Sequence, residues 1–194
     1  MSNNMEEIKS KIIDFLEDAS SLIILGIGND IRGDDGVGPY IINRIINLKE
    51  DVSNNNISNN VDMDAAIENN KSNDFSKNME ENIHLINGGT VPENFTGLIK
   101  KINPSHIIII DASIMNKKPG QIEIYLKENI SNVSISTHSM SLSYMVKYLE
   151  LENQFELIFI GIEPKIMDLS LELSDIVKSS ADDLIHIFES LFFK

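Results

Sequence analysis

Three residues of this chain carry side chains that could jointly hold a metal or move a proton: Asp35, Asp111 and His138. Asp35 lies in "GNDIRGDDGVG" (28–38), a glycine-rich turn after an apolar run. Asp111 ends "HIIIID" (106–111), and His138 sits in "STHSMSL" (136–142), where a helical pattern opens. Two carboxylates and one imidazole suit a borderline divalent cation such as Ni²⁺ or Zn²⁺, with coordination positions left open. The same carboxylates could act as a general base toward water. Spacing alone leaves plainer readings open, since an Asp at a strand end can merely cap a turn and a His at a helix start can be a cap or a surface residue. Asp34 is read as orienting the loop or capping the helix, Asn29 as hydrogen-bonding the turn, and Arg32 as balancing charge.

Other chemistries fit these residues less well. Gly26 and Gly28 supply the first two glycines of a dinucleotide-binding fingerprint, but Ile31 stands at the third, and no acid ends a strand about 20 residues further on. Adjacent aspartates would also repel a pyrophosphate, and the Gly-Lys-Ser/Thr of a P-loop is absent. The serines around His138 (Ser134, Ser136, Ser139, Ser141) have no GxSxG elbow. His84, His106, His138 and His186 form no HExxH pair.

The elements that must position these residues alternate between two periods. "MEEIKSKIIDFLED" (5–18) places Ile8, Ile12, Phe15 and Leu16 on one helical face and predicts an N-terminal helical extension over 1–19. "SLIILGIG" (21–28), "NIHLINGGT" (82–90), "HIIIIDAS" (106–113) and "FELIFIGIEP" (155–164) read as strands. "GQIEIYLKE" (120–128) alternates more, as an edge strand does. Helices are expected at "GVGPYIINRIINLKE", from "TVPENF" with Thr90 as cap, at 138–151 and over 170–194. Between 51 and 80, nine of thirty residues are asparagine, which reads as a low-complexity insertion, mobile or loosely helical around "MDAAIENN". The expectation is one α/β domain over 1–194, a three-layer α/β/α sandwich around a twisted, mostly parallel sheet of about five strands. In such sheets the site lies at the carboxyl ends of the strands, where Asn29 to Asp35, Gly88 and Gly89, Asp111 and Glu163 all fall.

Composition narrows the classes. A net charge of −14 argues against nucleic acid, whose phosphates call for lysine and arginine. No apolar run approaches the length of roughly 20 residues that spans a bilayer. The opening residues carry two glutamates where a secretory leader carries positive charge, which predicts a cytoplasmic protein with no membrane insertion. The chain has no cysteine, which suits a reducing compartment and removes thiolate ligands and a cysteine nucleophile.

In this order, "GIGNDIRGDDGVGPYI", "NGGTVPENFTG", "IIIIDAS", "STHSMSL" and "GIEPKIMDLSLELS" resemble the hydrogenase maturation endopeptidases, particularly the archaeal type related to the formate-hydrogenlyase maturation protease. The resemblance covers roughly residues 20–185 apart from the insertion. It implies an enzyme that removes a C-terminal extension from the large-subunit precursor of a [NiFe] hydrogenase after nickel insertion. It also implies that Asp35, Asp111 and His138 are the metal-binding positions, with the nickel supplied by the substrate; another divalent cation in the resting enzyme stays open. Asp35 or Asp111 would assist water attack. Asn29, Asp34, Gly88, Gly89 and Thr90 would support the site, and the protein would act as a monomer. One departure is visible: Asn87 stands where the family often has Asp before Gly-Gly-Thr. The alternative is a non-enzymatic nickel- or cofactor-binding accessory protein on the same fold.

Overall fold

The run Ile107–Ile110 cannot be half-exposed, because neither of its two faces offers a polar side chain to water. In the computed structural model it lies in the middle of a sheet, and each of the four isoleucines is essentially inaccessible to solvent. Burying each contributes roughly 2 kcal/mol, which makes this run a principal anchor of the fold. The structure describes residues 3–58, 82–132 and 139–192.

Five strands form the sheet: β1 (Leu22–Ile27), β2 (Ile83–Gly89), β3 (His106–Ala112), β4 (Ile122–Leu126) and β5 (Glu156–Ile162). Their spatial order is β2-β1-β3-β5-β4. β1, β2, β3 and β5 are parallel, and β4 closes one edge antiparallel to β5, in line with its alternating sequence. α1 (Asn3–Phe15), α2 (Val37–Ser58) and α5 (Asp175–Phe192) cover one face, where Ile24, Ile108, Ile110 and Ile160 meet Ile12, Ile41, Ile45 and Phe188. α3 (Thr96–Ile102) and α4 (Ser139–Glu150) cover the other, where Leu25, Ile107, Ile109 and Phe159 meet Ile99, Leu142 and Leu149. The three-layer sandwich is thus the observed architecture, and the central strands read as unbroken apolar runs because both faces are covered.

Three boundaries differ from the sequence expectation. α2 continues through 51–58, so the asparagine-rich window begins inside a helix; the rest of that window lies outside the described residues. Thr90 caps nothing: the chain closes a turn from the Val91 amide to the Gly88 carbonyl, and a 3-10 turn over Pro92–Phe95 follows with Val91 before it and no side-chain cap. The last helix starts at Asp175 rather than 170, because the amides of Lys165, Ile166 and Ser174 donate to the Asp34 carboxylate.

Candidate active site

The strand order reverses direction between β1 and β3, since β1 leads outward to β2 and the chain then crosses back to β3. This is the switch point at which open α/β sheets leave a crevice at their carboxyl edge. Asp35 follows β1 and Asp111 ends β3, so the two carboxylates flank that point.

Glycines bring them close. A Cβ on Gly38 would lie 2.3 Å from the Ile27 carbonyl oxygen and 2.6 Å from that of Ile110, so the start of α2 rests directly on the ends of both strands. Asp35 is three residues before Gly38, and Asp111 is next after Ile110. Gly28 has φ of +140°, and a Cβ there would lie 1.8 Å from the Asp35 carbonyl oxygen. That oxygen accepts the Asn29 amide at 3.1 Å, which folds the loop back on itself. Asp35 sits in a 3-10 turn, Gly33–Gly36, whose four residues are all buried.

The adjacent aspartates have different surroundings. Asp34 Oδ2 accepts the amides of Lys165 and Ile166, both at 2.8 Å, and the Ser174 hydroxyl at 2.9 Å. Its Oδ1 accepts the Ser174 amide at 2.7 Å. Asp34 is therefore a structural anion that ties the loop after β5 to the loop after β1. Asp35 is as deeply buried, yet its Oδ1 has no hydrogen-bond partner among the described residues. Asp111, at the end of β3, is fully buried as well.

The neighbouring residues shape the loops at this edge. Asn29 Oδ1 accepts the Ile31 amide at 3.2 Å, as expected of a turn residue. Gly89, at φ of +52°, accepts the Gly28 amide at 2.9 Å and so joins the β1 and β2 loops. Asn87 Oδ1 accepts the Gly89 amide at 3.1 Å, and its own amide group donates to Asn43 at 3.2 Å, so position 87 shapes this turn. Gly88 packs against Leu25 and Pro92.

The sequence reading placed Glu163 at this edge without a role and passed over Ser113. Glu163, nearly inaccessible, accepts the Met115 amide at 2.7 Å and the Lys117 amide at 3.1 Å through Oε2, holding the loop after β3. Ser113 is fully buried two residues beyond Asp111, and its Oγ has no hydrogen-bond partner among the described residues. A polar residue directly after an apolar strand was their only available signal.

His138 lies outside the described residues. α4, which begins with Ser139, runs down the sheet to Glu150 and joins the start of β5 through a short loop, so it opens at the carboxyl edge. The other histidines lie elsewhere. His84 pairs with Ile23 near the start of β1, His106 stands at the opposite end of β3, and His186 is exposed on α5 beside Glu189. Among the described residues no three His, Asp or Glu side chains form a metal-ligand group.

The fold and the buried carboxylates at its switch point define an α/β protein with an acid-rich site at the strand ends. The family model described as hydrogenase maturation protease matches residues 70–191. A Methanocaldococcus jannaschii protein assigned as a hydrogenase maturation protease is 37% identical over 183 residues, covering 92% of each chain. The hydrogenase 3 maturation protease of Escherichia coli K12 is 27% identical over 168 residues, covering 86% of this chain and 88% of its own. The crystal structure of the [NiFe] hydrogenase maturation protease HycI from Thermococcus kodakarensis superposes with a TM-score of 0.71 at 21% identity, covering 95% of this chain and 99% of its own, which shows the shared fold. The chain belongs to the hydrogenase maturation protease family, and it is a peptidase.

Proposed function

We propose that this peptidase removes the C-terminal extension of a [NiFe] hydrogenase large-subunit precursor after nickel has been inserted, and that it recognises the nickel carried by that substrate. The observation that carries the reading is the contrast between the two aspartates of the loop. Asp34 has its carboxylate taken up by four donors, while Asp35, equally buried, keeps an oxygen with no hydrogen-bond partner among the described residues, at the strand-end edge where Asp111 is also buried. Oxygen donors held dry at one sheet edge suit a cation brought by the substrate. His138 completes the ligand set by its chemistry and by preceding the helix that opens at this edge.

In this reading nickel bound to the precursor positions the scissile peptide against Asp35 and Asp111. One of the two carboxylates accepts a proton from water as the water oxygen bonds to the peptide carbonyl carbon. The proton then passes to the leaving nitrogen as the C–N bond breaks, yielding a new carboxyl terminus and a free amine. Asp34 takes no part in proton transfer, because its oxygens are already committed to amides and a hydroxyl. The protein acts as a monomer in the cytoplasm. The test is mass spectrometry of the large subunit from cells with and without this protein: the extended form should accumulate in its absence, and an unchanged mass would contradict the reading.

A further inference from the structure

The loop between β5 and α5 exposes two leucines. Leu169 and Leu171 are 85% and 82% exposed, and Ile31 and Ile166 beside them are 47% and 40% exposed. This is not loose chain. The Gly33 amide donates to the Ser170 carbonyl at 2.8 Å, the Ser170 amide to the Ile31 carbonyl at 3.1 Å, and the Asp34 amide to the Ile166 carbonyl at 2.9 Å. The Arg32 guanidinium donates to the Met167 carbonyl at 3.1 Å, and the Asp34 carboxylate holds both ends of the loop. Apolar side chains presented on a backbone fixed in advance lose little entropy when they are covered, which is the economy of a recognition surface.

Beside these leucines a groove of about 420 Å³ runs between the start of α2 and residues 171–178. Its floor includes Gly33 and Gly36, from the same 3-10 turn that carries Asp35, so groove and site share a wall. Asp35 and Asp111 do not line it. Its charged lining consists of Asp30, Glu172 and Asp175 against Lys178 alone, and the whole chain carries a net charge of −14. Acidic rims beside apolar anchors favour an extended polypeptide with cationic and apolar side chains.

We infer that this groove, with Leu171 in its lining and Leu169 two residues before it in the same loop, docks a basic, apolar segment of the precursor polypeptide outside the metal-reading pocket. The inference rests on the reading of the substrate given above. It assigns two separate acts of recognition: the groove holds the polypeptide whether or not nickel is present, and Asp35 with Asp111 reads the metal.

The experiment measures fluorescence anisotropy of labelled large-subunit precursor, nickel-free and nickel-loaded, titrated with the full-length protein. The variants are the pair Leu169→Ser with Leu171→Ser, the pair Asp30→Lys with Glu172→Lys, and Asp35→Asn. Each groove pair should weaken binding about tenfold for both precursor forms. Charge reversal should also flatten the salt dependence that the wild type shows. Asp35→Asn should leave nickel-free binding unchanged. Thermal melts of the groove variants, whose altered side chains are exposed, should match the wild type. Dissociation constants within twofold of wild type for both groove pairs, or no precursor binding by the wild type, would overturn the inference. Cleavage scored in parallel separates it from the functional reading: groove-dependent binding without cleavage defeats that reading alone, and normal cleavage with groove-independent binding defeats this inference alone.

Discussion

The Asp34 carboxylate accepts the Ser174 amide at 2.7 Å, from a residue 140 positions away. Ser174 stands immediately before α5, and its carbonyl accepts the first helical bond, from Lys178 at 2.9 Å. One side chain in the loop after β1 therefore sets where the last helix begins and how the loop before it lies over the sheet edge.

Replacing Asp34 should damage folding. Asp34→Ala removes a charged acceptor from three amides and a hydroxyl that are partly or wholly shielded from water, a loss of roughly 3 kcal/mol or more. Urea denaturation should show a clearly lowered midpoint with an unchanged slope. A midpoint equal to wild type would mean that the loop finds other acceptors.

Asp35→Asn should behave in the opposite way. Its Oδ1 gives up no hydrogen bond among the described residues, and a neutral amide is easier to bury than a carboxylate, so stability should stay within about 1 kcal/mol of wild type. Peptide cleavage should fall by about a hundredfold or more if the carboxylate takes the proton of the attacking water. Normal cleavage by a well-folded Asp35→Asn would remove Asp35 from the chemistry.

These two aspartates mark what could be read from the residues and what could not. The placement of Asp35 and Asp111 at the sheet's carboxyl edge was legible because each follows an apolar run, and the carboxyl ends of parallel strands converge on one edge whatever the details. That Asp34 orients the loop was legible, but its partners were not, since they lie 131 to 140 positions away and most are main-chain amides, which leave no mark on residue type. The place of Glu163 after β5 was legible, but its partners, the Met115 and Lys117 amides, were not for the same reason. The extension of α2 to Ser58 ran against composition, because asparagine and serine are weak helix formers in isolation. Thr90 carried a capping signal, but the turn from Gly88 to Val91 moved the chain out of the register it needed.

Gly28→Ala should disrupt the loop. An L residue is strained at φ of +140°, and its Cβ would fall on the Asp35 carbonyl oxygen. A cost of about 3 kcal/mol is expected, with loss of cleavage from the surviving folded fraction. Circular dichroism melts and cleavage assays on the purified variant would check both; a wild-type melt would contradict the close approach.

Acid should weaken the fold through His106. Burial holds its imidazole below the ordinary histidine range, and the neighbouring Asp18 carboxylate only partly opposes that effect. Because the folded protein protonates less readily than the unfolded chain, stability is full above the ordinary histidine pKa and falls as pH drops below it. Urea midpoints measured from roughly pH 5 to pH 8 should decline toward the acid end, and His106→Gln should flatten that part of the decline. An unchanged profile in His106→Gln would assign the acid sensitivity to other groups.

The central claim is that cleavage waits for nickel. Purified protein should be incubated with large-subunit precursor prepared with and without the metal, and the products weighed by intact mass spectrometry. One discrete loss of a C-terminal segment is expected from the nickel-loaded precursor, none from the nickel-free form, and none from either when Asp35→Asn replaces the wild type. Equal trimming of both precursors, or trimming of neither by the wild type, would contradict it.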